Sequence, residues 1–368
     1  MSKLFVYAMV LFSSMNASLA IVDVKKGSDA MEQKTVLVTG GAGYIGSHIA
    51  HALAQQGYRV LVLDIFKYNQ PFNPSWATVI RGNCGDRQLL DTIFTEHHVH
   101  AIVHCAADIE VGRSVTDPLA FYHNNVNNTV TLIEAMVAHH VHHFIFSSSC
   151  AVYGTPLYTP IDTNHPINPI SPYGYTKSVV ERVLADCDAA YGLRSVTLRY
   201  FNAAGALPEE DLGERHEPET HAIPLLLTAA QQEKPFMIFG TDYPTRDGSA
   251  IRDYVHVRDI AHAHVLALQY LEQGSPSDIF NLGTENGVSV KELINTVQTI
   301  IRKEIKVVQQ PRRVGDPAIL VADANKAHAI LHWKPVHSNL EFIIKSAAVF
   351  ANQRATDICM PQAVVSCR

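Results

Sequence analysis

The chain has 368 residues, of which 47% are hydrophobic and 17% are charged, and its formal net charge at pH 7 is −6. This balance excludes a disordered or fibrous protein and is typical of a globular enzyme with a large core. A negative net charge without a basic stripe argues against a nucleic-acid partner. The six cysteines form no CxxC pair, which is typical of reduced thiols in the cytosol.

Residues 1–33 form an extension ahead of the first predicted strand. Lys3 precedes an apolar run that begins at Leu4 and ends at Phe12, and small residues follow up to Ala20. This pattern resembles a secretory signal with a cleavage site after Ala20. The alternative, which we favour, is a start at Met31 and a cytoplasmic protein. The apolar run is too short to cross a bilayer, and no later segment resembles a membrane span.

Seven short runs rich in β-branched residues predict strands, and helical stretches separate most of them. The runs are residues 35–39, 59–64, 77–81, 101–105, 144–148, 195–200 and 278–282. Several are apolar without strict alternation, as in strands that are covered on both faces. Strands that alternate with helices predict an α/β fold with a Rossmann-type, doubly wound parallel sheet.

Glycine and proline concentrate later, in residues 204–224 and 239–248. We interpret these stretches as substrate loops and as the start of a smaller, mixed α/β lobe at the C-terminal side. The predicted organisation is therefore a nucleotide-binding domain over residues 34–200 and a substrate lobe mainly over residues 201–350, interleaved with that domain. A tail follows over residues 351–368.

Histidines cluster at residues 97–100 and 139–143, each time at the end of a predicted helix and just before a strand. Such clusters can bind a metal ion. At the end of a helix, however, histidines can bond the last free carbonyls and complement the helix dipole. We therefore predict no metal site.

A glycine-rich turn follows the first predicted strand. Gly40, Gly43 and Gly46 have the spacing GxxGxxG ahead of a predicted helix over residues 48–55. The first glycine permits a tight turn, the second lets the backbone approach a pyrophosphate, and the third lets the helix pack closely on its strand. The pyrophosphate then faces free N–H groups at the helix N-terminus.

Asp64 ends the second predicted strand, 18 residues after Gly46. A carboxylate at this position can accept hydrogen bonds from both ribose hydroxyls of a dinucleotide, and it repels a 2′-phosphate. The turn and the acid together predict a dinucleotide site that prefers NAD to NADP.

Tyr173 and Lys177 lie four residues apart, on one face of a predicted helix that Ser171 caps and Pro172 begins. A free tyrosine has a pKa of about 10 and is a poor base at neutral pH. A nearby ammonium and an oxidised nicotinamide both favour the phenolate. Ser149, at the end of a strand with three serines, adds a hydroxyl that can hold the reacting oxygen.

Taken together, these motifs resemble the extended short-chain dehydrogenase/reductase family and, within it, the 4-epimerases of UDP-sugars. The likeness extends from residue 35 to residue 333. It rests on the stretches 39–48, 124–127, 146–149, 152–154, 171–177, 198–202, 239–257 and 311–316. The glycine turn and the Tyr173–Lys177 pair occur across the family, whereas residues 239–257 are far more specific to epimerases.

The resemblance implies reversible 4-epimerisation of UDP-glucose and UDP-galactose through a transient 4-keto sugar. Tyr173 would take the proton of the sugar 4-hydroxyl, and Ser149 would hold that oxygen. Lys177 would hold the nicotinamide ribose and lower the pKa of Tyr173. NAD would accept the hydride from C4 and return it, so it would be a bound cofactor and not a co-substrate.

The resemblance also implies the binding residues and a homodimer that forms through two helices of each subunit. Further cofactor contacts are expected at Tyr44, Ile45, Asn83, Cys84, Ala106, Ala107, Asn124 and Tyr200. For the UDP moiety, Asn202 would contact a phosphate oxygen, Phe239 would stack on the uracil, Arg252 and Arg313 would neutralise the diphosphate, and Asp316 would bind the uridine ribose.

Four positions depart from the family pattern. Asn83 stands where an acid is expected beside the adenine, Ile109 replaces a lysine, and residues 219–221 replace paired asparagines. Leu320 stands where a tyrosine limits the size of the sugar pocket in many members. Because leucine is smaller, 4-epimerases of UDP-N-acetylhexosamines, UDP-pentoses or UDP-uronates stay open as alternatives.

Two other classes of function are compatible with the predicted fold. Nucleotide-sugar dehydratases share the fold, but Cys150 and Ala151 occupy the place of their acid–base pair, which counts against elimination of water. A non-catalytic NAD-binding protein is the alternative from a different class, and the presence of both Tyr173 and Lys177 argues against it.

Overall fold

The fold comes from a computed structural model, which describes residues 33–67, 72–313 and 315–359. The predicted signal-like segment and the end of the predicted tail lie outside the described residues. None of the helices in the described ranges is both long and apolar enough to span a bilayer.

All seven predicted strands are present, and they pair side by side in one parallel sheet. Their bounds are β1 (Thr35–Thr39), β2 (Arg59–Asp64), β3 (Ala77–Arg81), β4 (Val99–His104), β5 (His143–Ser149), β6 (Arg194–Tyr200) and β10 (Asp278–Leu282). The order across the sheet is β3-β2-β1-β4-β5-β6-β10. The prediction of a doubly wound parallel sheet is therefore confirmed.

Helices cover both faces of this sheet. In β1, Val36 and Val38 belong to the core under α1 (Tyr44–Gln55) and α8 (Val257–Glu272). Leu37, between them, belongs to the opposite core. That second core lies under α2 (Arg87–His97), α5 (Asn128–Ala138) and α6 (Pro172–Tyr191). Because alternate side chains of one strand face two apolar cores, the strand is continuously hydrophobic.

A smaller lobe follows in the chain, as predicted. One small sheet contains β7 (Asn202–Ala204), β9 (Ile251–His256), β11 (Gly287–Ser289) and β13 (Ile319–Leu320), and β8 (Phe236–Phe239) pairs with β12 (Val307–Gln310). Its core is formed largely by α7 (Ala222–Gln232), α9 (Val290–Ile301) and α11 (Leu340–Cys359). The remaining helices are α3 (Val111–Thr116), α4 (Pro118–Tyr122) and α10 (Asn325–Ile330).

The topology determines where ligands can bind. β1 lies between β2 and β4, so the connections from β1 and β4 leave the sheet toward opposite faces. Doubly wound sheets bind ligands at this switch point, outside the carboxyl ends of the strands. The glycine turn, Asp64, Ser149 and Tyr200 all lie at this edge, since each ends or follows a parallel strand.

Candidate active site

A cleft of about 1300 Å³ opens at the carboxyl edge of the large sheet. Pockets for a single small ligand usually measure about 300–1000 Å³, so this cleft can hold two ligands. Every predicted site residue except Phe239 lines it. These residues are Gly40, Gly43, Tyr44, Ile45, Gly46, Asp64, Asn83, Cys84, Ala106, Ala107, Asn124, Ser149, Tyr173, Lys177, Tyr200, Asn202, Arg252, Arg313 and Asp316.

The glycine turn forms one end of the cleft. Gly40 has a φ of +70°, and a Cβ there would lie 2.6 Å from the backbone nitrogen of Ala106. A Cβ on Gly46 would lie 2.1 Å from the Gly40 carbonyl oxygen, which explains the third glycine. Helix α1 begins at Tyr44, not at residue 48 as predicted, because Gly46 allows the first turn to pack directly against Gly40. Gly43 is the N-cap and brings no side chain, so the first N–H groups of α1 remain available to an anion.

Asp64 is held in place by the backbone at the end of β2. Its Oδ2 accepts a hydrogen bond from the Ala42 nitrogen at 3.0 Å, and its Oδ1 accepts one from the Phe66 nitrogen at 2.7 Å. Burial raises the pKa of Asp64, and the hydrogen bonds from backbone N–H groups oppose that rise. The carboxylate is therefore fixed beside the glycine turn, where the ribose of a dinucleotide would lie.

Two further predicted cofactor contacts, Asn83 and Asn124, already use their side-chain oxygens in hydrogen bonds within the protein. Asn83 uses its Oδ1 to accept a hydrogen bond from the Gly85 nitrogen at 2.8 Å. Burial raises the pKa of the Cys84 thiol to about 12, so this cysteine is an unreactive part of the cleft wall. The Asn124 Oδ1 accepts a hydrogen bond from Asn128 at 3.1 Å.

Sequence reasoning missed the neighbouring Asn125, which is buried. Its side chain bonds both the backbone nitrogen and the carbonyl of Asp108, at 2.8 and 2.9 Å, and it donates to the Thr176 hydroxyl at 3.1 Å. The sequence feature that could have pointed to Asn125 is the asparagine-rich run at residues 124–127. A π-helical turn, His123–Asn127, decides which asparagine points inward, and such turns often occur at functional sites.

Tyr173 and Lys177 lie together on the buried face of α6, as the spacing predicted. The Ser171 hydroxyl caps the helix by accepting from the Gly174 nitrogen at 3.2 Å, and Pro172 occupies the first turn. The Lys177 Nζ donates to the Ser147 carbonyl at 2.8 Å and lies 6.0 Å from the centre of the Tyr173 ring. The strand end of β5 and the helix face of α6 thus meet at one point in the cleft.

Burial dominates the acid–base properties of this pair. It raises the pKa of Tyr173 to about 12, although a hydrogen bond with Ser149 acts in the opposite direction. Burial also lowers the pKa of Lys177 to about 8. Burial is thus the largest influence on the pKa of Tyr173 within the protein itself, and the Lys177 ammonium is directed at the Ser147 carbonyl. The predicted lowering of this pKa by Lys177 and an oxidised nicotinamide together stays a prediction.

The other end of the cleft contains the predicted UDP-binding residues. Arg252 in β9 forms an ion pair with Asp316, and both line the cleft. The Arg313 guanidinium lies 4.0 Å from the centre of the Phe239 ring. Phe239 is not among the residues that line the cleft, so its predicted stacking on uracil stays a prediction. The ion pair means that a diphosphate at Arg252 has to compete with the Asp316 carboxylate.

The cleft wall also contains four residues that were not assigned a role from the sequence: Glu214, His216, Glu219 and His221. Burial lowers the pKa of His221, but hydrogen bonds to Glu214 and Glu219 outweigh it and raise that pKa to about 10. The departures at Ile109 and Leu320 line the same cleft.

The histidine clusters at residues 97–100 and 139–143 do not bond helix carbonyls as predicted. Instead, the His100 and His139 rings lie 2.9 Å from carboxylate oxygens of Glu272 and Asp91. The His97 Nδ1 lies 3.2 Å from an Arg59 nitrogen. Among the described residues, the donors close enough to share a metal ion are instead Glu214, His216, Glu219 and His221.

The chain belongs to the NAD dependent epimerase/dehydratase family, whose model matches residues 36–283. Within that class, it is similar to the UDP-glucose 4-epimerase of Rhizobium meliloti (strain 1021). The two are 48% identical over 318 residues, which cover 86% of this chain and 97% of that protein.

Solved structures agree with this placement. A UDP-glucose 4-epimerase from Brucella ovis in complex with NAD has a TM-score of 0.82 and 43% identity, covering 86% of this chain and 97% of that one. A UDP-glucose 4-epimerase from Bifidobacterium longum in complex with NAD+ and UDP has a TM-score of 0.80 and 33% identity, covering 88% and 99% of the two chains.

Proposed function

We propose that the protein is an NAD-dependent UDP-glucose 4-epimerase, which interconverts UDP-glucose and UDP-galactose. The observation that carries this proposal is the convergence of Tyr173, Lys177 and Ser149 between a dinucleotide-type glycine turn and an arginine-lined end of the same cleft. The similarity to UDP-glucose 4-epimerases over most of the chain supports the same activity.

The residues at the glycine end fit NAD. The absence of side chains at Gly40 and Gly43 leaves room for a pyrophosphate at the N-terminus of α1. Asp64 offers a carboxylate to the ribose hydroxyls and repels the extra phosphate of NADP. When bound, NAD supplies an acceptor for the hydride of the sugar C4 and returns that hydride.

The protein's own part in the chemistry is to move one proton. Tyr173 takes the proton from the sugar 4-hydroxyl while Ser149, which hydrogen-bonds Tyr173, holds the same oxygen. Because burial raises the pKa of Tyr173 to about 12, the phenolate needs a further positive charge beside it. Oxidised NAD would supply that charge when bound, so we expect Tyr173 to take the proton only in the presence of the oxidised cofactor.

The arginines retain the substrate between the two hydride transfers. Arg313 and Arg252 bind the diphosphate, and Asn202 at the start of β7 contacts a phosphate oxygen. Anchoring the nucleotide leaves the 4-keto sugar free to turn about its phosphate link and to present its other face. A hydride accepted on that face would invert C4.

The breadth of sugar acceptance depends on Leu320. This side chain lines the cleft in β13, where a tyrosine would take up more space.

To test the proposed activity, the purified protein is incubated with UDP-galactose and, separately, with UDP-N-acetylgalactosamine, and the products are separated by chromatography. Conversion of UDP-galactose supports the proposal. Absence of conversion, even with NAD added, contradicts it.

A Leu320→Tyr variant is the matched test of specificity. If the wild type converts both sugars, we expect the variant to lose the N-acetylated substrate and to keep UDP-galactose. If the wild type converts UDP-galactose alone, Leu320 already closes the pocket, and the N-acetylhexosamine alternative is excluded.

The protein acts as a homodimer in this proposal. Helices α3 and α4 pack against α6 and expose apolar side chains, among them Val115 at 63% and Leu119 at 71% of full exposure. An exposed apolar patch of this kind marks a protein interface.

Light scattering after size exclusion measures the mass of the particle in solution, and Leu119→Glu should convert a dimer to a monomer. A wild-type protein that is a monomer in this measurement contradicts the proposed homodimer.

We also place the enzyme in the cytoplasm. Its cofactor and its nucleotide-sugar substrates are cytoplasmic metabolites, so export would separate it from both. Fractionation of cells that express the full chain tests this placement, with activity in the cytoplasmic fraction expected.

A further inference from the structure

Four potential metal ligands converge on the wall of the cleft, in the stretch of residues 214–221 ahead of α7. One donor atom from each of Glu214, His216, Glu219 and His221 lies within 4.8 Å of the other three. The stretch has no helix or strand of its own. Helical or strand periodicity therefore does not explain why four side chains with metal-binding groups point at one another.

The hydrogen bonds and ion pairs of this cluster converge on a few atoms. The His221 Nδ1 lies 2.5 Å from the Glu214 Oε1 and 3.0 Å from the Glu219 Oε1, yet one ring nitrogen carries at most one hydrogen. The same Glu214 oxygen also lies 3.0 Å from the His216 Nδ1. One nitrogen of His221 thus lies between two carboxylates, and one oxygen of Glu214 lies between two imidazole nitrogens.

A cation at the centre would satisfy all four groups at once. Zinc binds histidine nitrogen at about 2.0–2.1 Å and carboxylate oxygen at about 2.0–2.2 Å, usually with four ligands in a tetrahedron. The ligand atoms of such a site lie about 3.4 Å apart. To reach that geometry, the contacts of 2.5–3.0 Å need to open by less than about 1 Å, and any pair as far apart as 4.8 Å needs to close by about 1.4 Å.

We propose that Glu214, His216, Glu219 and His221 bind one divalent metal ion, with zinc favoured by two imidazoles and two carboxylates. Four protein ligands leave no open position, so the site is structural and performs no chemistry. The metal would fix the loop that walls the substrate side of the cleft. Glu219 is already positioned for this, because its Oε1 accepts hydrogen bonds from the nitrogens of Thr220 and His221 at 2.7 and 2.8 Å.

The test measures zinc directly and does not depend on epimerase activity. Tag-free full-length protein is treated with a chelator, desalted and titrated with zinc against a chromogenic chelator, and bound metal is counted by mass spectrometry. Two variants remove ligands: the double variant His216→Ala/His221→Ala, and Glu219→Gln, which keeps an oxygen for the backbone bonds. The control His140→Asn/His142→Asn removes two exposed histidines elsewhere.

We expect one zinc ion per wild-type and control chain, with none in the double variant and at least about tenfold weaker binding in Glu219→Gln. Zinc should also raise the melting temperature of the wild type and the control only. If the double variant fails to fold, as judged by circular dichroism, Glu219→Gln decides the question. The proposal is overturned if wild-type protein binds no zinc, if the ligand variants bind it as tightly as wild type, or if the control loses it.

Discussion

At the scale of single residues, the site depends on a tyrosine whose surroundings oppose its own ionisation. Burial raises the pKa of Tyr173 to about 12 and lowers that of Lys177 to about 8. Both shifts disfavour charge in a desolvated corner. In the proposed mechanism, Tyr173 therefore needs a further cation beside it before it can accept a proton, which links proton transfer to the oxidised cofactor.

Replacing Tyr173 with phenylalanine removes the hydroxyl that exchanges the proton while keeping the ring. We expect turnover to fall by about 10²–10⁴-fold, the usual contribution of a general base. Bound NAD should remain, measured by denaturing the protein and quantifying the released cofactor. Tyr175→Phe, at a half-exposed tyrosine on the same helix, is the control that should keep its activity. Full activity of Tyr173→Phe would end the proposed mechanism.

The sequence allowed the positions of many cleft residues to be predicted, because short motifs fix both residue type and spacing. The glycine turn was recognisable because a predicted strand precedes it and a predicted helix follows it. The Tyr173–Lys177 pair was recognisable because both residues lie within a predicted helix that follows a predicted strand. Pairings between distant segments were not predictable in this way. Arg252 and Asp316 lie 64 residues apart, and their ion pair follows from the packing of β9 beside β13.

At the scale of elements, a buried ion pair fixes the catalytic helix against the sheet. Glu181 lies four residues after Lys177 on α6, and Arg199 in β6 bonds it with both Nε and Nη2. The side chains are only 8% and 4% exposed. Ser148 in β5 donates to the same carboxylate, at 2.5 Å. Helix α6 and strands β5 and β6, which all carry predicted site residues, thus meet at the Glu181 carboxylate.

Removing the arginine from this pair should be costly. Arg199→Met leaves the Glu181 carboxylate buried without its partner, and we expect the free energy of unfolding to fall by about 3–5 kcal/mol. Adding Glu181→Gln should restore part of that loss, because no uncompensated charge remains. Urea denaturation measures both. Arg182→Met, in an exposed ion pair on the same helix, should leave the denaturation midpoint nearly unchanged. Equal midpoints for Arg199→Met and wild type would contradict this account.

The strands of the large sheet were predictable because each is a short apolar run, but their ends shifted by one or two residues at β4, β5 and β6. Several strands of the smaller lobe, including β7, β11 and β13, have only two or three residues. Runs of that length carry no periodic signal. They become strands because β9 offers them hydrogen-bonding partners.

At the scale of the whole molecule, buried neutral histidines connect stability to pH. Burial lowers the pKa of His48 and His264 to about 4 and that of His104 and His256 to about 3. An unfolded histidine has a pKa of about 6.5. Below that pH the unfolded chain binds more protons than the folded one. The contribution of these rings is therefore complete well above pH 6.5. It is lost as the pH falls from 6.5 toward 4 for His48 and His264 and toward 3 for His104 and His256.

These four rings should lower the free energy of unfolding at pH 5.5 by about 5 kcal/mol relative to pH 7.5, and the raised pKa of His221 opposes part of that difference. His104→Gln should reduce the difference by about 1 kcal/mol, whatever it does to stability at either pH. Urea denaturation at the two pH values is the measurement. The exposed His140→Asn is the control. A His104→Gln variant with the wild-type difference would argue against a neutral buried ring at this position.

The overall architecture followed from the alternation of strands and helices, and the motifs predicted most of the named residues that line the cleft. The cluster at residues 214–221 did not, because its four side chains meet in a stretch without regular secondary structure. Only the three-dimensional arrangement brings Glu214 and His221 within 2.5 Å of each other.

The most direct test of the central claim follows the hydrogen on C4. Purified protein without added cofactor is incubated with UDP-galactose that carries deuterium at C4, and the UDP-glucose formed is analysed by mass spectrometry. Because the proposed mechanism returns the same hydride from bound NAD to the same carbon, the product should retain the deuterium. A product that has exchanged the label with water, or no product even after NAD is added, would contradict the account.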